Sequence, residues 1–167
     1  MKLLIIRHGP AGDKEKWEAE GRDDRLRPLT SDGKKKMRQA ATGLARLVPK
    51  LDLLAGSPLV RAAESASIVA SEYGSEVLTL DSLSPDRAPE EVVGWLREQP
   101  TAQTVALVGH EPQLGVLTGY LLTGRPVSFI ELKKSGACLL DLEDPLRPGG
   151  GILQWLLTGS ALRCMDE

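Results

Sequence analysis

The sequence predicts an α/β fold: a three-layer α/β/α sandwich with a mainly parallel central sheet and an antiparallel addition at its carboxyl end. Three observations carry this. Apolar runs without polar alternation recur at residues 3–6, 51–55 and 104–108, as expected of strands covered on both faces. Segments with helical spacing lie between them, so strand and helix alternate along the chain. The last third reads instead as two strands, 137–142 and 152–157, joined by the proline- and glycine-rich residues 145–151.

The elements follow in order. The first strand stops abruptly at Arg7-His8-Gly9, which places a guanidinium and an imidazole at its carboxyl end, the edge where open α/β sheets bind ligands. Gly9 has no Cβ, so the backbone can turn sharply there and a ligand can approach closely. Residues 11–28 are crowded with Asp, Glu, Lys and Arg, hold one large apolar residue, Trp17, before Leu26, and read as a surface excursion with room for a helical turn. Thr30-Ser31 suits a helix cap, and Met37, Ala40, Ala41, Leu44, Leu47 and Val48 continue at helical spacing until Pro49. Lys34, Lys35 and Lys36 fall in the first turns of that helix as a solvated face.

After the second strand, Ser57 is a good N-cap and Pro58 fits the first helical position, predicting a helix over 58 to about 73 with Arg61 in its first turn. Residues 77–80 read as a short strand, and Pro89 opens a helix that ends before Pro100. The strand at 104–108 repeats the opening pattern and ends in Gly109-His110-Glu111-Pro112, with a helix over 113–122 behind it.

The composition bounds the function. At 167 residues, with 41% hydrophobic and 26% charged content, the chain suits one domain over 1–167 that buries a core without staples. A net charge of -2 gives no global reason to bind nucleic acid or an acidic membrane. The apolar stretches fall short of a bilayer span and the amino terminus lacks the regions of a secretory signal, so a cytoplasmic location is expected. Cys138 sits in an apolar run that reads as core, and neither it nor Cys164 has a neighbour at metal-ligand spacing. With two histidines in the chain, no metal or other cofactor is expected. No pattern speaks to the oligomeric state.

Arg7 with His8, Arg61, and His110 thus stand at three separate strand ends, and both histidines of the protein are among them. Two guanidinium forks and two imidazoles near helix N-termini make a site for a dianionic phosphoryl group, held by the forks and backbone N–H groups while one imidazole attacks phosphorus. The plain structural alternative pairs Arg61 with Glu64 on its own helix and leaves His110 as a cap.

On Arg7-His8-Gly9, Ser57-Pro58-Leu59-Val60-Arg61-Ala62 and Gly109-His110, the sequence resembles the histidine phosphatase superfamily, with its phosphoglycerate mutase-like fold. Arg27-Pro28-Leu29-Thr30 with Gly33, the Gly-His-x-Pro arrangement at 109–112 and the lack of large insertions resemble its short, SixA-like branch. The resemblance implies that His8 is the nucleophile and becomes transiently phosphorylated, and that Arg7, Arg61 and His110 bind the phosphoryl oxygens. Neighbouring guanidinium groups favour the neutral, nucleophilic imidazole, in agreement with that role.

Many larger members of that superfamily carry a central acid that protonates the leaving oxygen, and residues 81–91 show no recognisable counterpart. Glu111, next to His110, is a substitute candidate, although a Glu at a helix N-terminus is also favourable for stability alone. The implied activity is a metal-independent phosphatase acting on protein phosphohistidine, whose P–N bond asks less of an acid than an ester does. The alternatives are a small-molecule phosphomonoesterase and a non-catalytic module that binds phosphorylated ligands. A mutase needs an enclosed pocket, and residues 11–28 are all the chain offers as a lid.

Overall fold

The first strand, β1 (Lys2–Arg7), lies inside a six-stranded sheet, and Leu3 to Ile6 have no solvent exposure. The sheet is completed by β2 (Leu53–Gly56), β3 (Leu78–Thr79), β4 (Thr104–Gly109), β5 (Ala137–Asp141) and β6 (Ile152–Leu157), in the order β3-β2-β4-β1-β5-β6. The computed structural model describes residues 1–165. β1 to β4 run parallel, with Ile5 opposite Leu107 and Arg7 opposite Gly109, while β5 and β6 are added antiparallel.

Among the described residues there are six α-helices: α1 (Lys14–Ala19), α2 (Ser31–Leu47), α3 (Val60–Tyr73), α4 (Pro89–Arg97), α5 (Gln113–Thr123) and α6 (Gly159–Cys164). Alternate side chains of β1 enter two separate cores. Leu3 and Ile5 pack with Val92, Leu96, Leu114 and Leu117 of α4 and α5. Leu4 and Ile6 pack with Met37, Leu44, Ala66 and Val69 of α2 and α3. Two apolar environments are what the unalternating strand pattern required. Cys138 is buried in the first core, and burial pushes its thiol up to about 12.

Several details differ from the sequence reading or sharpen it. α3 starts at Val60, with Leu59 as its cap residue and no side-chain cap; Ser57 stands two residues ahead of that cap, where its Oγ accepts the Leu59 N–H and meets His110 Nε2. The second strand is displaced to Leu53–Gly56, and the short third strand narrows to Leu78–Thr79. Residues 11–28 are built as α1 and a 3-10 turn at Asp24–Leu26, capped by Asp13 and Asp23. Trp17 serves this excursion by donating from Nε1 to the Asp23 carbonyl at 2.8 Å under the stacked Arg22. α6 was not legible at all. It packs on α2 where Gly43 leaves room, since a Cβ there would lie 2.1 Å from the Leu162 carbonyl.

Among the described residues, no helix is long and apolar enough to cross a membrane.

Candidate active site

The end of β1 is held on every side. The His8 N–H donates to the Gly109 carbonyl at 3.0 Å, and the His8 carbonyl accepts from the Ser135 N–H at 3.1 Å. Gly9 donates its N–H to Ser65 Oγ at 3.0 Å, and Ser65 donates in turn to the Arg61 carbonyl at 2.8 Å, which ties β1 to α3. The space beside Gly9 goes to α2: a Cβ there would lie 3.2 Å from the Gly33 carbonyl and 3.3 Å from Met37 Cβ. Close approach of a helix, with no ligand involved, is therefore what this glycine permits.

His8 and His110 are buried, with ring centroids 5.2 Å apart. His8 Nδ1 lies 2.7 Å from the Gly9 carbonyl, an obligate acceptor, so this nitrogen carries the proton and Nε2 keeps its lone pair. Burial lowers the His8 pKa to about 4, helped by the charges of Arg61, Arg7 and Arg27 and opposed by the Gly9 hydrogen bond. His110 falls to about 3, through burial first and then His8 and Arg61. Both rings are neutral at physiological pH, a condition for a nitrogen nucleophile.

The cations close around this pair. Arg7 donates from Nη1 to the Leu132 carbonyl at 2.7 Å. Arg61, whose side chain is 7% exposed, donates to Asp24 through both terminal nitrogens, to the carbonyl at 2.8 Å and to Oδ2 at 3.1 Å. Arg27 donates to the other carboxylate oxygen of Asp24 at 2.8 Å. Burial opposes ionisation of Asp24, but the Arg27 hydrogen bond and the charges of Arg61 and Arg27 prevail and hold the carboxyl below its usual range. Three buried nitrogens of the site have no partner among the described residues: Arg7 Nε, Arg61 Nε and His110 Nδ1.

These groups line one cleft of about 1570 Å³ at the carboxyl ends of the parallel strands. A second cavity, about 1000 Å³, lies near the amino-terminal ends of β1 and β4 and is lined by no histidine. Thus Arg7, His8, Arg61 and His110 are brought together. Glu111 also lines the cleft, but its carboxylate accepts the Leu132 N–H at 3.2 Å. Burial raises its pKa against that hydrogen bond and the Arg7 charge.

Sequence reasoning missed Asp24, Arg27 and Ser57. Arg27 stood within a quoted motif without a role, and Ser57 was read as a helix cap. Asp24 had no signal, because its partner Arg61 lies 37 positions away. Asp81 and Asp86 also reach the wall of the cleft. Asp86 has φ 71, and its loop is braced by Gln113 Nε2, which donates to the Ser82 carbonyl at 2.7 Å. Among the described residues, no three His, Cys, Asp or Glu side chains gather as metal ligands.

The family model of the histidine phosphatase superfamily (branch 1) matches residues 3–84. An uncharacterized protein of Picosynechococcus sp. is 32% identical over 140 residues, 81% of this chain and 82% of that protein. The solved structure of the protein histidine phosphatase SixA complexed with tungstate is similar with a TM-score of 0.80 at 25% identity, covering 97% of this chain and 99% of that one. The alpha-ribazole phosphatase from Shigella flexneri is similar at a TM-score of 0.75 and 18% identity, covering 95% and 97%.

Proposed function

The chain belongs to the histidine phosphatase superfamily, and from that premise we propose that it hydrolyses protein phosphohistidine through a phosphorylated His8, without a metal. That the protein is a phosphatase follows from its family and fold. The observation that carries the mechanism is the set of buried nitrogens without a partner among the described residues, Arg7 Nε, Arg61 Nε and His110 Nδ1, on the residues that surround the imidazole whose Nε2 keeps its lone pair.

Nε2 of His8 attacks phosphorus in line, the P–N bond to the substrate imidazole breaks, and the bond pair stays on that ring. The ring leaves as neutral imidazole because the protonated phosphohistidine already carries a proton on its other ring nitrogen. Donors from Arg7, Arg61 and His110 hold the equatorial oxygens as charge redistributes. Water then attacks the phosphoryl group on His8, releasing inorganic phosphate and restoring the imidazole. Any active-site water able to reach phosphorus opposite Nε2 suffices for this step.

Two features support a phosphohistidine on a protein surface as substrate. The cleft exceeds the roughly 300–1,000 Å³ of small-ligand pockets, so it admits a presented side chain with its neighbours. The acid next to Arg61 is also unsuited to proton donation, since Asp24 is held ionised by two arginines. Glu111 is the group that favours the alternative of a small-molecule phosphomonoesterase, because burial raises its pKa.

Side-by-side turnover of a phosphohistidine-bearing protein, sugar phosphates and nucleotides, with and without EDTA, tests the proposal. The highest kcat/KM is expected for phosphohistidine and no loss is expected with EDTA. Preference for a sugar phosphate or nucleotide overturns the substrate, and loss with EDTA restored by a divalent ion overturns the metal-free chemistry.

A further inference from the structure

We infer that Ser57 is a positioning residue that sets the tautomer of His110, making the second imidazole an N–H donor toward the phosphoryl oxygens where His8 offers a lone pair. The inference rests on the proposed function and adds a residue to it.

Ser57 is 1% exposed and stands at the carboxyl end of β2. Its Oγ accepts from the Leu59 N–H at 3.3 Å and lies 2.7 Å from His110 Nε2. A hydroxyl has one proton to give, and a buried hydroxyl proton needs an acceptor. His110 Nε2 stands at hydrogen-bonding distance and takes it. Nε2 is then the lone-pair nitrogen, and the single proton of the neutral ring sits on Nδ1. The ring is neutral near pH 7, because burial and neighbouring charge lower its pKa to about 3.

His110 Nδ1 is buried and has no partner among the described residues, which suits a donor meant for a ligand. His8 has the same tautomer, since its Nδ1 donates to the Gly9 carbonyl. The two rings are nonetheless used from opposite ends: His8 keeps Nε2 free to attack, and His110 keeps Nδ1–H free to hold an oxygen. Were His110 protonated on Nε2, its Nδ1 lone pair would face the phosphoryl oxygens and repel them. The Ser57 proton would also lose its acceptor.

Long-range proton–nitrogen NMR on protein labelled in its two histidines reads the tautomers without any turnover. Both rings of the wild type are expected to show a protonated Nδ1 and an unprotonated Nε2. A protonated Nε2 on His110 in the neutral ring overturns the inference, whether or not the protein proves to be a phosphatase. Absent phosphatase activity with the expected spectrum overturns the function and leaves the tautomer standing.

Ser57→Ala should move His110 toward the Nε2–H form and weaken tungstate binding at least roughly tenfold, the worth of one charge-assisted hydrogen bond. Ser57→Thr, which keeps the hydroxyl, should restore both. An unchanged tautomer and unchanged tungstate affinity in Ser57→Ala would contradict the role.

Discussion

Glu111 and Arg7 grip the two backbone polar groups of one residue: the Glu111 carboxylate accepts the Leu132 N–H at 3.2 Å, and Arg7 Nη1 donates to the Leu132 carbonyl at 2.7 Å. Leu132 has no solvent exposure, so this backbone cannot turn to water for replacement partners. Glu111 thereby holds the Leu132 backbone that anchors Arg7 Nη1.

The first prediction separates this bracing from proton donation. Glu111→Gln keeps an oxygen that accepts the Leu132 N–H, so phosphohistidine turnover should stay near the wild-type rate. Glu111→Ala leaves that N–H unpaired at a cost of about 1–3 kcal/mol and should lower kcat/KM on every substrate. Equal losses in both variants, measured as kcat/KM on an ester and on phosphohistidine, would assign Glu111 the proton instead.

Asp24 gives the second. Its carboxylate lies between Arg61 and Arg27, where it neutralises the clamp and competes with an incoming oxyanion. Asp24→Asn should destabilise the protein by about 2 kcal/mol through loss of charged hydrogen bonds. It should also raise the gain in Tm produced by tungstate, because the added anion supplies the missing charge. A smaller tungstate gain than in the wild type would show that Asp24 assists oxyanion binding.

The third prediction concerns pH. His8 and His110 titrate near 4 and near 3 in the fold, below the 6.5 of an unperturbed imidazole. Between those values the unfolded chain binds more protons than the native one, so stability falls as pH drops from about 6.5 toward 4 and is fully present above that window. Urea unfolding across this range should show the slope, and His8→Asn should reduce it. Activity should likewise keep its acid limb well below pH 6.5, apart from the substrate's own phosphate ionisation near about 6. An acid limb set by a group near 6.5 in the enzyme would show that His8 is solvated.

The parts of this architecture that the sequence disclosed are those written in contiguous residues. Leu3 to Ile6 signal a strand covered on both faces because each side chain meets a core of its own. Arg61 and His110 were placed by the strand-to-helix turns that precede them. What stayed hidden depends on partners far apart in the chain. Ser57 before Pro58 has the local pattern of a helix cap, yet a histidine 53 positions away claims its hydroxyl. Asp24 reaches Arg61 only because the Ala11–Leu29 bridge folds the intervening excursion back over the site. α6, six residues long, has too few positions to show a period and exists by packing on Gly43.

The central claim is that phosphorus passes through His8 Nε2. The most direct measurement is to stop the reaction within one turnover in alkali, where phosphohistidine survives, and to locate the phosphoryl group by peptide mass spectrometry. Phosphorylation of His8 that forms and decays at the rate of turnover, and is missing from an inactive but folded His8→Ala, is the predicted result. Full phosphatase activity in His8→Ala, or phosphoryl transfer onto another residue, would contradict it.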